Sequence, residues 1–375
     1  MLSALGRTTR AFILAAALLT AVTAVLEITA ASDVVRFIVA GASLAALAAV
    51  IGQAIEAVGE HLSPGATGLL QSSLGNLPEL FVGIFALHDG LYQVVRAALV
   101  GSILGNAVLV LGCAFVAGGL RHGPQRFDPS EPRLYGSLLL LAVAALLVPT
   151  LAHHLDTPAA PHTAVLSDIC AAVLLLVYAC SIPFTLRRSA APAPAPAAAG
   201  GGAPAPPTPI RGDGSADAPP APAPSLRLSL VVLIVASAGA ALVSDWFVSA
   251  LEPATVSLGL TQTFTGLVVV AIAANAVEHA VGIRFALKAK PEYALSATLS
   301  SPLQVALLLT PVLVLLSNVI GPTPLTLVFP ALLVASLAIS AVVVVTVIYD
   351  GEYTWIEGVA LIGLYIMLAA GFWWG

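Results

Sequence analysis

Apolar runs of about 20 residues follow one another through most of this chain, and a run of that length with few charges can cross the hydrocarbon core of a bilayer as one helix. Eleven such runs are legible, at about 11–29, 34–58, 66–88, 92–118, 134–152, 163–186, 227–250, 261–287, 293–317, 325–349 and 355–374. Backbone polar groups in lipid must pair within the segment or around a closed barrel, and these runs lack the two-residue alternation of barrel strands, so all eleven read as helices. Only 9% of the residues are charged, against about 25% in soluble domains. No basic tract points to nucleic acid, and the small net charge of −5 says little about partners beyond the bilayer. Cys113, Cys170 and Cys180 lie inside apolar runs without metal-ligand spacing and read as packing residues. The first run has Arg7 and Arg10 in front of it, as a signal peptide would, but it is long and no small-residue cleavage site follows, so it is expected to be a retained helix.

Basic residues set the expected orientation. With the N-terminus in the cytoplasm, twelve of the 14 Lys and Arg residues fall inside, and only Arg36 and Arg96 lie near the outside. Eleven spans then put the C-terminus outside, in what reads as a cell inner membrane. Between about Ser189 and Pro224 the composition turns to Ala, Pro and Gly, which cannot form a packed core and reads as a cytoplasmic linker. The expected division is an N-terminal extra helix (1–33), a first five-span half (34–188), the linker (189–226) and a second five-span half (227–375).

The halves share a local repeat. Asn76-Leu-Pro-Glu79 aligns with Asn275-Ala-Val-Glu278, and Val82-Gly83-Ile84 with Val281-Gly282-Ile283. The offset is constant, since 275 − 76, 278 − 79 and 282 − 83 all equal 199, and it also sets Gly101-Ser102 beside Ser300-Ser301. An odd number of spans per half makes the second half run upside down relative to the first. Inverted repeats of this kind belong to transporters whose sites lie near the midplane, where discontinuous helices meet. The fold expected is therefore an all-α membrane protein of eleven transmembrane helices, with two inverted five-helix repeats plus an extra N-terminal helix.

Glu79 and Glu278 stand deep within their spans, where a carboxylate costs several kcal/mol even on lenient scales. Neither has a Lys or Arg at helical spacing on its own span. Asn76 and Glu79 share a helix face, as do Asn275 and Glu278. Pro78 frees the carbonyl of Leu74, Gly75 eases a break there, and Pro302 is expected to free Thr298 in the same way. Ser102, Ser301, Asn106 and Gln304 add oxygens. The set suits a hard cation such as Ca2+, which takes about six to eight oxygens including carboxylates. His279 has three readings: transition-metal ligand, titrating group for proton coupling, or hydrogen-bond partner of a carboxylate. Glu56 and Asp245, one on the first span of each half, either line an access path or cap a helix end. Glu252, followed by Pro253, reads as a loop residue. The remaining histidines fall at span ends or in loops; His153, His154 and His162 share one loop with Asp156, where a metal patch is conceivable.

These clusters resemble the alpha repeats of the calcium/cation antiporter superfamily, and within it the cation/proton exchangers, that is, Ca2+/H+ antiporters. Gly75-Asn76-Leu-Pro-Glu79-Leu with Gly101-Ser102-Ile-Leu-Gly-Asn106 is similar to the first repeat. Asn275-Ala-Val-Glu278-His279 with Ser300-Ser301-Pro-Leu-Gln304 is similar to the second. The Glu-His pair points to the proton-coupled branch, whereas Pro78 before the Glu is more like Na+/Ca2+ exchangers. The resemblance implies a secondary antiporter that exports Ca2+ against H+, with alternating access. Glu79 and Glu278 would be its central ligands, Asn76, Asn275, Ser102, Ser301 and Gln304 would complete the site, and His279 and Asn106 would support coupling. Ca2+ is then the transported substrate and no cofactor is expected. A Na+-coupled exchanger is the alternative, and other divalent cations stay open as substrates. The motifs of an intramembrane enzyme, HExxH, GxSxG or paired aspartates, are missing from the sequence. A non-transporting scaffold or sensor is the third class.

Overall fold

The computed structural model describes residues 7–29, 31–62, 64–190 and 225–374. Its helices are α1 (Arg7–Ile28), α2 (Asp33–Gly59), α3 (Pro64–Leu74), α4 (Leu77–His88), α5 (Tyr92–Leu104), α6 (Leu111–His122), α7 (Ser130–His154) and α8 (Thr163–Ala190) in the first part of the chain. The second part holds α9 (Leu226–Ser257), α10 (Gln262–Phe264), α11 (Ala271–Leu287), α12 (Pro291–Gln304), α13 (Thr310–Ile320), α14 (Ala331–Val347) and α15 (Trp355–Trp373). Among the described residues, nine continuous helical stretches are long and apolar enough to cross a membrane, and the shorter apolar helices Leu77–His88 and Ala331–Val347 bring the spans to eleven. Most of the linker expected over 189–226 lies outside the described residues.

The first helix of each half starts the same way. Ser32 accepts from the Val35 N–H at the head of α2, and Ser225 from the Leu228 N–H at the head of α9, each at 3.4 Å. Such caps satisfy backbone donors that a helix start leaves free. At the head of α15, Glu357 Oε2 accepts from both the Thr354 N–H (2.6 Å) and its hydroxyl (2.9 Å).

Three π-helical turns interrupt the central spans, at Gly105–Val110 between α5 and α6, Thr265–Val270 between α10 and α11, and Val305–Leu309 between α12 and α13. Subtracting the repeat offset of 199 from the third gives 106–110, which falls on the first. The repeat thus extends into backbone geometry that the residues at those positions, Asn106-Ala-Val-Leu-Val against Val305-Ala-Leu-Leu-Leu, do not announce. Helix crossings at the centre are close and use small residues, as expected where lipid gives no hydrophobic drive between helices. A Cβ on Gly266 would lie 2.7 Å from the Val94 carbonyl oxygen, and one on Gly101 would strike the Leu267 carbonyl. Gly112 and Gly358 bring α6 against α15 in the same way. The stretch from Leu99 to Val108 is wholly buried, while α1 and α8 present exposed apolar side chains such as Leu14, Leu18, Val173 and Leu176, as helices facing lipid do.

The structure corrects four details of the sequence reading. The span expected at 66–88 is two helices, α3 and α4, broken at Gly75–Asn76, and Pro78 falls in the first turn of α4, where its missing N–H removes no helical bond. Pro302 does not break α12; the helix runs through it to Gln304, and the irregularity comes one turn later as the π turn. The span expected at 227–250 continues to Ser257, so Glu252 is an exposed helical residue and Pro253 lies inside the helix. The span expected at 325–349 begins only at Ala331. Residues 321–330 are irregular, because Pro322, Pro324 and Pro330 cannot donate helical bonds.

Candidate functional site

The break at Gly75–Asn76 and the three π turns surround one point, and the polar residues of both repeats converge on it. Asn76 sits at the head of α4 with no capping bond from its side chain, which leaves its amide to reach the other half: Nδ2 donates to Gln304 Oε1 at 3.2 Å. On the pseudo-equivalent side, Asn106 Nδ2 donates to Asn275 Oδ1 at 3.0 Å and lies 3.2 Å from Ser301 Oγ and 3.3 Å from the Ser102 carbonyl. Asn275 Nδ2 in turn donates to Ser102 Oγ at 3.0 Å and to the Ala271 carbonyl at 2.9 Å.

Glu79 and Glu278 meet at this network, where the charge of Glu278 acts on the Glu79 carboxyl, and Ser301 lies beside the Glu278 carboxyl. Glu79 is in the first turn of α4, where its carboxyl reaches its own backbone N–H and the positive end of the helix dipole. Among the described residues, none of the three salt bridges involves either glutamate. Three buried oxygens here accept no hydrogen bond: Asn76 Oδ1, Asn106 Oδ1 and Glu278 Oε2. Buried acceptors are normally satisfied, so a cluster of unsatisfied oxygens with two carboxylates has the chemistry of a hard-cation site, without nitrogen or sulfur donors to favour a transition metal.

A narrow cavity lined by Glu79, Ser102, Ala86, Val94 and Val95 extends on the side of the α4–α5 turn, and Leu309 and Leu313 line it as well. It has about 20 Å³ of room, about what a single water needs.

All eight expected oxygen-bearing residues, Asn76, Glu79, Ser102, Asn106, Asn275, Glu278, Ser301 and Gln304, are therefore in one cluster. His279 is not bonded into it. Its ring faces Gly105, with Nε2 3.8 Å from where a Cβ on that glycine would stand, and it makes no hydrogen bond to another described residue. Glu56 and Asp245 keep exposed side chains on α2 and α9, and each lies within its helix, so neither caps an end. Among the described residues, no three His, Cys, Asp or Glu side chains gather as a metal group, which removes the metal patch at His153, His154, His162 and Asp156. Arg96, one lone Arg in an otherwise uncharged run over 92–118, reaches Thr326 with its guanidinium, a contact between distant parts of the chain that the sequence does not announce.

A discontinuous-helix repeat protein with an oxygen cluster where its halves meet is the architecture of a membrane ion transporter. The sodium/calcium exchanger protein family matches residues 32–187 and 228–374, and the chain belongs to that family. It is 37% identical over 338 residues to the Ca2+/H+ antiporter of Synechocystis, covering 90% of each chain. It is 33% identical over 341 residues to the Ca2+/H+ antiporter of Aphanothece halophytica, covering 91% of this chain and 90% of that one. Among solved structures, native YfkE superposes with a TM-score of 0.79 at 28% identity, covering 97% of this chain and all of that one.

Proposed function

We propose that this protein is a secondary antiporter that exports Ca2+ in exchange for H+ across the cell inner membrane. The observation that carries the reading is the meeting of Glu79 and Glu278, one from each repeat, in an oxygen-only cluster with unsatisfied acceptors. The relatives from Synechocystis and Aphanothece halophytica bear the name Ca2+/H+ antiporter at 37% and 33% identity, which supports the proton as coupling ion. In this reading Glu79 and Glu278 are the central ligands, and Asn76, Asn275, Ser102, Ser301 and Gln304 shape the site. Asn106 and His279 support it, and Glu56 and Asp245 line the approach to it.

Two carboxylates balance a divalent charge, and the same two carboxylates take up protons when the metal leaves. Ca2+ and H+ thus exclude each other without any further part, and opposed fluxes follow if the site faces one side at a time. The N-terminus and linker are on the cytoplasmic side, the C-terminus is outside, and the halves run from 34–188 and 227–375. The two family-matched segments and the basic-residue bias support that division.

The test is Ca2+ uptake into everted vesicles with a pH gradient and no Na+, following Ca2+ and internal pH together. Opposed movements are expected. Ca2+ movement only on addition of Na+, at constant internal pH, would replace the proton with Na+ as the coupling ion. Reporters near Gly201 and after Gly375 are expected on opposite sides of the membrane; the same side for both would break the inverted topology.

A further inference from the structure

We propose that Arg96 is a positioning residue for transport, fastening α5 to the irregular segment 321–330 so that the passage from Glu79 to the α4–α5 end of the bundle stays shut. The inference rests on the proposed transport path, and it concerns which side of that path is closed.

Segment 321–330 is a strap. Leu325, Leu327 and Phe329 are buried although their backbone is not helical. Backbone of this kind is tolerated at membrane depth only when protein groups satisfy it, and here side chains from four helices do so. Ser317 of α13 accepts from the Leu325 N–H at 2.7 Å, and Ser167 of α8 from the Leu327 N–H at 2.9 Å. Thr150 of α7 donates to the Leu327 carbonyl at 2.8 Å and accepts from the Phe329 N–H at 3.1 Å. The fourth helix is α5. Tyr92 Oη donates to the Thr323 carbonyl at 2.7 Å and accepts from the Thr323 N–H at 2.8 Å. One turn on, Arg96 Nε donates to the Thr326 carbonyl and its Nη2 to Thr326 Oγ1, both at 3.0 Å.

The α5 ties differ from the others in what they hold together. Val94, Val95 and Ala98 of α5 form one part of the wall of the cavity at Glu79, while Leu309 and Leu313, leading into and along α13, form another. The strap leaves α13 and is pinned to it through Ser317, so Tyr92 and Arg96 bridge the two walls at one end. A cation that keeps part of its water shell passes only if the walls part, and parting them stretches the bonds to Thr323 and Thr326. Arg96 is the strong member. Its guanidinium presents two donors in a fixed fork, it has no acidic partner among the described salt bridges, and an ionised group at membrane depth must keep its partners. The orientation proposed above makes this the outer end.

The experiment places a reporter thiol in the passage, Ala98→Cys, in a chain whose Cys113, Cys170 and Cys180 are replaced by Ala, and measures its reaction with a membrane-impermeant maleimide added outside. Arg96→Gln is expected to raise the labelling rate about tenfold or more, as the open state gains population. Thr326→Val, which removes only the hydroxyl acceptor, should raise it less, and Arg96→Lys, which keeps the charge but not the fork, should fall between wild type and Arg96→Gln. If Arg96→Gln does not fold, Thr326→Val and Tyr92→Phe carry the test. Unchanged labelling in the folded variants overturns the latch. Protection by Ca2+ is read separately in the same samples: its absence would count against the transport path while leaving the comparison of rates intact.

Discussion

Asn76 Nδ2 donates to Gln304 Oε1 across 3.2 Å, although 228 residues separate the two in the chain. Asn275, the repeat-equivalent of Asn76, is held across the halves in turn, by Asn106 at 3.0 Å. The two partners are not repeat-equivalent, since the offset of 199 pairs Asn106 with Val305 and Gln304 with Gly105. The motif asparagines are thus symmetric and their anchors are not. Asn275 spends its oxygen on Asn106, while Asn76 keeps a free Oδ1. In the proposed site the two halves would therefore offer unequal oxygens to a cation between them.

The first prediction removes one charge at a time. Glu79→Gln and Glu278→Gln keep side-chain size and hydrogen bonding, so each variant is expected to insert and fold but to lose Ca2+-driven flux by at least about 100-fold. Flux in proteoliposomes checks this. Normal flux in either variant would remove that glutamate from the site.

Asn106 gives a second prediction, because it is buried and its amide group makes three contacts. Asn106→Ala strands Asn275 Oδ1 and leaves Ser301 without a donor, at about 1–3 kcal/mol per unsatisfied group. The melting temperature should fall. Bound Ca2+ stabilises the native state by RT ln(1 + c/Kd), with c the free Ca2+ concentration, so a weaker site should also shrink the Ca2+-induced rise in melting temperature. Asn106→Asp should be worse, since it turns a carboxylate oxygen on Asn275 Oδ1. A melt of Asn106→Ala that responds to Ca2+ as wild type does would show that this amide has no part in orienting the site.

How far the sequence carried the structure differs by level. Glu79 and Glu278 were legible as candidates because charge in an apolar run has few explanations, and the pairing of the halves was legible because the 199 offset matched both glutamates and both Val-Gly-Ile triplets. Gly83 and Gly282 show why that offset recurs: a Cβ on either would lie within 2.7 Å of a side-chain carbon on a neighbouring span, of Leu313 and Thr298 respectively. The π turns were not legible, since nothing in Val305-Ala-Leu-Leu-Leu distinguishes five residues in a wide turn from five in an α-helix. The strap was misread as helix because its apolar content resembles a span, and the side chains that satisfy its backbone come from distant parts of the chain.

A third prediction concerns the loop end opposite the strap. Tyr353 lies in a two-residue strand, Glu352–Tyr353, paired with Gln125–Arg126, and its ring stacks on Phe115 at 4.0 Å between centroids. Burial, helped by the charge of Glu292, pushes its phenol up to about 12, from about 10 in an unfolded chain. The folded state therefore favours the neutral phenol. Its contribution to stability is complete below about pH 10 and is lost as pH rises from there towards 12. Tyr353→Phe removes the hydroxyl, which has no partner, and keeps the stack. That variant should match or exceed wild type in thermal melts at pH 7 and fall less between pH 10 and 12. Tyr353→Ala should lose about 3–5 kcal/mol at pH 7. An identical alkaline decline in wild type and Tyr353→Phe would mean that other groups set it.

The last prediction follows from the proposal that one pair of carboxylates serves both ions. A ligand carboxyl must be deprotonated before it binds metal, so Ca2+ affinity must fall as pH falls. The limiting slope counts the protons exchanged. If both Glu79 and Glu278 are protonated in the Ca2+-free protein, log Kd should change by about two per pH unit at its steepest; if one proton is held between them, by about one. The curve belongs to the pair, so neither glutamate owns an inflection. Replacing one partner tells the cases apart, because a Glu79→Gln variant that still binds weakly has at most one proton to exchange from these two groups. His279 adds a separate step if it titrates with the site, and His279→Gln would remove that step without changing the limiting slope from the carboxylates. Direct Ca2+ binding to purified protein across pH 5 to 9, without Na+, measures all of this. A flat curve would mean that protons and Ca2+ do not share a site, and Na+ would then be the ion to test as the competitor for Glu79 and Glu278.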